Sequence, residues 1–138
     1  MTPFDVADPA ISVVVPAFDR ETTLPATLDS LLAQTYASWE AIVVDDGSVD
    51  GTAALAERYA ARDSRFRVHR QANAGVSGAR NRGIELARAP WLFFLDADDW
   101  IVPTAFEALT EALVADPDAD VAYGGYVRVD DGGRGRWS

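Results

Sequence analysis

Apolar residues along this chain fall into two kinds of run. Three are short, unbroken and β-branched or aromatic: Ile11-Ser12-Val13-Val14-Val15, Glu40-Ala41-Ile42-Val43-Val44 and Trp91-Leu92-Phe93-Phe94-Leu95. Blocks of this length predict strands inside a sheet, and the last reads as a strand buried on both faces. Elsewhere apolar positions recur at helical spacing: Leu24, Leu28, Leu31 and Leu32; Ala54, Leu55 and Tyr59; Val76, Ala79, Gly83, Ile84 and Ala87; Phe106, Leu109 and Leu113. The first of these predicts a helix from about Thr22 to Gln34, with Pro25 tolerated only in its first turn. Asp50 is placed to cap the second helix, Gly75 to Arg88 spans the third, and Pro103 opens the fourth, which Asp116-Pro117 ends.

Phe66 to Arg70 alternates apolar and basic residues, as a half-exposed strand near a sheet edge does, and His69 is read there as structural. Val121 to Val129 predicts a further strand interrupted by Gly124-Gly125, and Asp130 to Gly133 predicts a turn. Strands alternating with helices imply right-handed crossovers and a mainly parallel, twisted sheet with helices on both faces, an α/β/α sandwich. With 138 residues, 49% of them hydrophobic, the chain is expected to form one domain over residues 1–138.

Charge and composition narrow the chemistry. A formal net charge of -10 argues against nucleic acid, whose binding rests on a basic surface. A small anionic ligand is compatible with it when a metal ion screens the carboxylates. All 12 basic residues are Arg, which removes a P-loop or Schiff-base lysine, and one His leaves no His-rich zinc site. The absence of cysteine fits a reducing compartment, and Met1 to Pro9 carries Asp5 and Asp8 where a secretion signal would be basic and then apolar. A cytoplasmic location is expected.

Three strand ends carry the candidate chemistry, since ligands of open parallel sheets bind beyond the carboxyl ends of the strands. They are Pro16-Ala17-Phe18-Asp19, Asp45-Asp46-Gly47-Ser48 and Asp96-Ala97-Asp98-Asp99. Three carboxylates so close repel one another. Either they form a solvated acidic loop, or they hold a hard divalent cation on a rigid base.

With Asn73-Ala74-Gly75-Val76-Ser77-Gly78-Ala79-Arg80-Asn81-Arg82-Gly83 between the second and third of these, the pattern closely resembles the family 2 glycosyltransferases of the GT-A fold, over roughly Ile11 to Val129. The resemblance implies a domain that binds a nucleotide diphosphate sugar, with a UDP-sugar favoured. It implies that Asp45 and Asp46 receive the base, Asp46 accepting a ring N–H as an ionised carboxylate can. A mere turn-stabilising role for Asp46 is the alternative. Pro16, Ala17, Phe18 and Asp19 match the segment that lines the base, Phe18 standing where the family often has Tyr and Asp19 where it often has Asn. Asp96-Ala97-Asp98 matches the Asp-x-Asp motif that holds the ribose and a Mg or Mn ion on the diphosphate. Asp98 and Asp99 are the metal candidates and Asp96 lies nearer the ribose, while Arg80 either reaches the diphosphate or pairs with the acidic cluster.

The family continues with an acceptor-binding half that carries the catalytic carboxylate, so the resemblance implies a donor half whose base is expected beyond Ser138. A carbohydrate or lipid-linked acceptor is expected, with any membrane association arising outside this chain. The implied activity is inverting transfer to an acceptor hydroxyl. The rival is a catalytically silent nucleotide-sugar-binding module. A sugar-phosphate nucleotidyltransferase ranks third, because its Gly-rich, Arg- and Lys-containing opening motif is missing. Trp91 and Trp100 are read as packing, with a place in the sugar pocket as the alternative for Trp100.

Overall fold

The computed structural model describes residues 8–125, 127–129 and 135–137. In chain order the elements are β1 (Ile11–Ala17), α1 (Leu24–Leu32), β2 (Trp39–Asp45), α2 (Thr52–Arg62), β3 (Phe66–Arg70), α3 (Gly75–Leu86), β4 (Trp91–Phe94), α4 (Ala105–Ala115), β5 (Val127–Val129) and β6 (Gly135–Trp137). The first four strands form one sheet in the order β3-β2-β1-β4, and all its pairings are parallel. β5 and β6 make a separate antiparallel pair.

Strand alternation divides the core in two. Val13, Val15, Ala41, Val43 and Phe66 face one side, where they pack with Leu24, Leu28 and Leu31 of α1, Ala56 and Tyr59 of α2 and Phe106 of α4. Ile42 and Val44 face the other, under α3, with Ala79. Helices therefore cover both faces, as the alternating elements predict. Full burial of each large aliphatic side chain contributes about 1.5–3 kcal/mol, so the three α1 leucines alone anchor that helix firmly. The approach of α3 is closer still, because a Cβ on Gly83 would stand 2.2 Å from Cγ1 of Val14. No larger residue fits there without moving the helix.

Several expectations are corrected. β4 is an edge strand and not one buried on both faces: Trp91 and Phe93 pack into the larger cluster, but Leu92 and Phe94 are 42% and 45% exposed. α3 packs over β1 and β2, which leaves the same face of β4 open. On α2 the buried positions are Thr52, Ala53, Ala56 and Tyr59, whereas Ala54 is exposed. On α3 only Ala79 and Gly83 are buried, and Val76 and Ile84 face out. The strand expected over Val121 to Val129 is confined to Val127–Val129; Val121 to Gly125 has no regular structure, consistent with the weak strand preference of paired glycines. Tyr126 and the turn expected at Asp130 to Gly133 lie outside the described residues. Trp100, expected to pack, is 55% exposed.

Candidate donor-binding site

The carboxyl ends of β1, β2 and β4 open on one cleft of about 340 Å³. Pro16, Ala17 and Phe18 line it from the first strand end, Asp46 from the second, and Asp96, Ala97 and Asp98 from the third. Asn73, Gly75, Val76, Ala79 and Arg80 close the remaining side with α3 and the turn before it. Of the residues singled out in the sequence, Asp19, Asp45 and Asp99 stand behind or beside the lining.

Asp19 adopts a left-handed backbone, φ 50°. Its N–H donates to Ser48 Oγ at 2.9 Å, and its Oδ1 accepts the Val49 N–H at 2.9 Å. The side chain thus holds the turn after β2. Asp45 is fully buried; its Oδ1 accepts the Ser48 N–H at 3.3 Å, and Arg70 Nε lies 3.3 Å from Oδ2. Asp50 sits one residue before the N-cap of α2, where its Oδ1 accepts the Thr52 N–H at 2.9 Å and the Thr52 hydroxyl. Those bonds pull its pKa below the usual carboxylate value.

Asp46 reaches further than its own turn. Its Oδ1 accepts from Gln71 Nε2 at 3.0 Å and from the Ala74 N–H at 2.8 Å, and its Oδ2 accepts the Gly75 N–H at 3.0 Å. The carboxylate thereby occupies the N-terminus of α3, where backbone N–H groups favour an anion. Three of its roughly four acceptor positions are filled, leaving one on the cleft side for a ligand.

The far end of α3 is held from the start of the same strand. Glu40, 1% exposed, accepts from Arg67 Nη2 at 2.7 Å and, through Oε2, from the Arg88 N–H at 2.7 Å and Ser12 Oγ at 2.6 Å. Arg67 Nη2 also donates to the Leu86 carbonyl at 2.6 Å. Arg80, between these anchors, donates from Nη2 to Asp96 Oδ1 at 3.1 Å, while its buried Nε has no hydrogen-bond partner among the described residues. His69 lies outside the cleft and accepts from Arg82 Nε at 3.3 Å, as a structural residue would.

Asp96, Asp98 and Asp99 bring one oxygen each to within 4.8 Å of one another. Partial burial, then the charges of Asp98 and Asp96, raise the pKa of Asp99 above the ordinary 3.8. Three hard oxygen donors whose repulsion the single Arg80–Asp96 pair only partly offsets fit a Mg or Mn ion. The loop that carries them hangs on α1. Thr23 Oγ1 donates to the Ala97 carbonyl at 2.9 Å, Thr27 Oγ1 to the Asp99 carbonyl at 2.6 Å, and Gln34 Nε2 to the Val102 carbonyl at 2.7 Å. Ser30 Oγ accepts the Ile101 N–H at 3.2 Å. Sequence reasoning missed this polar stripe, although Thr23, Thr27, Ser30 and Gln34 follow helical spacing on one side of α1. It also missed Arg20 and Asn73 in the cleft wall.

A parallel α/β sheet whose strand ends converge on a cleft with an acidic cluster and flanking arginines can receive a small anionic ligand together with a cation. The family named Glycosyl transferase family 2 matches residues 12–138, and the chain belongs to that family. It is 45% identical over 103 residues to the Uncharacterized glycosyltransferase EpsJ of Bacillus subtilis, covering 75% of this chain and 30% of that protein. It is 36% identical over 121 residues to a PGL/p-HBAD biosynthesis glycosyltransferase of Mycobacterium bovis, covering 86% of this chain and 47% of the relative. The chain thus spans a third to a half of these relatives. Among solved structures, S. aureus TarS 1-349 in complex with UDP-GlcNAc superposes with a TM-score of 0.72 at 28% identity, over 76% of this chain and 31% of that one. The mannosyltransferase PcManGT from Pyrobaculum calidifontis, in complex with GDP-Man and Mn2+, gives 0.70 at 26% identity, over 84% and 36%.

Proposed function

We propose that this chain is the donor-binding part of a metal-dependent, inverting glycosyltransferase that moves a sugar from a nucleotide diphosphate sugar, a UDP-sugar by preference, to an acceptor hydroxyl. The observation that carries the proposal is the convergence of Asp46, Arg80, Asp96 and Asp98 on one cleft at the carboxyl ends of the strands. The bound nucleotides of TarS and PcManGT, and the Mn2+ of the latter, support it.

In this reading Asp46 accepts a base N–H with its remaining acceptor position, beside the walls formed by Pro16, Ala17 and Phe18. Asp45 and Asp19 contribute indirectly by fixing the turn on which Asp46 sits. Asp96, oriented by Arg80, faces the ribose, and Asp98 and Asp99 hold Mg or Mn. The ion supplies Lewis-acid stabilisation of the departing nucleoside diphosphate. Every carboxylate of the cleft then has a task in holding donor or metal, so the base that takes the acceptor proton comes from outside this cleft. The acceptor is a carbohydrate or lipid-linked hydroxyl, and nucleic acid is not a partner. No helix among the described residues is long and apolar enough to cross a membrane. A cytoplasmic location is part of the proposal, supported by the absence of cysteine.

Calorimetric titration with UDP and GDP, each with Mn2+ or Mg2+ and with a chelator, tests the reading. Binding that requires the cation is expected. Equal binding in chelator refutes metal dependence, and sugar transfer by this chain alone refutes a base supplied from outside residues 1–138.

A further inference from the structure

We infer that Arg20, a residue of the cleft wall with no role in the reading above, grips the diphosphate of the donor. The inference rests on that reading of the cleft as a donor site, and the argument is one of elimination among the groups able to hold an anion there.

The diphosphate of a nucleotide sugar carries two negative charges, which one divalent cation cancels, but the leaving nucleoside diphosphate gains a third and the cleft adds the carboxylates of Asp46, Asp96 and Asp98. Some protein group must supply positive charge or N–H donors. The N-terminus of α3 is one candidate, but the Ala74 and Gly75 N–H groups already donate to Asp46. Arg80 is the second, but its Nη2 is drawn onto Asp96 at 3.1 Å and its Nε, without a partner among the described residues, is buried. Arg20 is the third. Among the described residues it has no carboxylate within ion-pair distance, and its guanidinium makes only a long 3.5 Å contact, from Nη1 to the Asp19 carbonyl. A planar fork of N–H donors matches phosphate oxygens in pairs.

The backbone at Arg20 is locked, so the free side chain projects from a fixed base. Its N–H donates to Thr52 Oγ1 at 2.8 Å, and its carbonyl accepts from Thr23 N at 3.2 Å and Leu24 N at 2.9 Å. Three residues on, Thr23 holds the Ala97 carbonyl, which places this segment beside the acidic loop where the diphosphate is expected. None of these bonds uses the Arg20 side chain. Substitution there removes the guanidinium and leaves the loop in place.

The test is calorimetry of the whole chain with saturating Mn2+, using UDP, GDP and uridine as ligands, on wild type, Arg20→Gln and Arg20→Lys. For whichever diphosphate the wild type binds, Arg20→Gln is expected to weaken binding about tenfold or more, the scale of a charge-assisted hydrogen bond, and Arg20→Lys by less. Uridine binding and the melting temperature stay as in wild type. An unchanged diphosphate affinity in Arg20→Gln, or an equal loss for uridine and UDP, overturns the inference while leaving the donor-site reading standing. Failure of the wild type to bind any of the three overturns that reading and the inference with it.

Discussion

Replacing Asp46 by Asn should damage the scaffold and the ligand site together, in proportions that the geometry sets. Oδ1 accepts two hydrogen bonds, from Gln71 Nε2 and the Ala74 N–H, whereas Oδ2 accepts one, from the Gly75 N–H. The asparagine keeps its carbonyl oxygen where two donors converge, which turns its NH2 toward Gly75. Donor then faces donor between the side chain of Asp46, a residue 4% exposed, and the N–H of the exposed Gly75. Losing one charge-assisted bond and setting two donors against each other costs about 2–3 kcal/mol. For a domain of this size each kcal/mol lowers Tm by about 3–5 °C, so a fall of about 6–15 °C is expected by calorimetry. Hydrogen exchange should quicken first at the Ala74 and Gly75 amides, and uridine nucleotide binding should weaken by about 1–3 kcal/mol beyond what unfolding explains. If Tm is unchanged while binding is lost, Asp46 reads the base but does not hold α3. If Tm falls and nucleotide affinity at low temperature is intact, the reverse holds and the base assignment fails.

Asp98→Ala or Asp99→Ala should abolish most Mn2+-dependent diphosphate binding, measured by calorimetry, and leave the metal-free fold as stable or slightly more so. The sign follows from the raised pKa of Asp99: ionisation costs the folded state more than the unfolded one, so relief appears above the ordinary carboxylate value and vanishes below it. Thr27→Val, which nearly preserves shape, leaves the Asp99 carbonyl without its 2.6 Å donor; a loss of about 1–3 kcal/mol in urea unfolding and a weaker Mn2+ affinity are expected, and an unaltered affinity would detach α1 from the metal loop. Asp63 has a pKa lowered chiefly by hydrogen bonds from Arg65, against a smaller opposing effect of burial. Its contribution is therefore present above the unfolded value of about 3.9 and is lost as pH falls through the lower folded value, so the Tm deficit of Asp63→Asn should be full at pH 7 and shrink steadily as the solution is acidified below the unfolded value.

What could be read from the chain was what local pattern encodes. Blocks such as Val13 to Val15 and Ile42 to Val44 announce central strands because nothing but a sheet interior suits them, and the acidic turns at Asp45-Asp46 and Asp96 to Asp99 mark the strand ends that open on the cleft. Neighbours were not legible. Trp91 to Phe94 looks like an interior strand by composition, yet whether Leu92 and Phe94 are covered depends on where α3 lies, and α3 stops over β1 and β2. Asp46 looked like a base reader or a turn residue, and its grip on the next helix depends on the chain closing back on it 28 positions later. The polar stripe of α1 was visible as spacing but had no meaning until the loop after β4 was seen lying along it.

One consequence of the way α3 is held concerns how such a domain can change over time. Glu40 fastens the helix at one end and Asp46 at the other, and Gly83 seats its middle against Val14. Its position is thus dictated almost wholly by β2, β1 and a single missing side chain. Ser77, Asn81 and Ile84 face outward and take no part in fixing it. Lineages or engineers can rewrite that outer surface, and with it whatever meets the helix from outside, without retuning the cleft behind it.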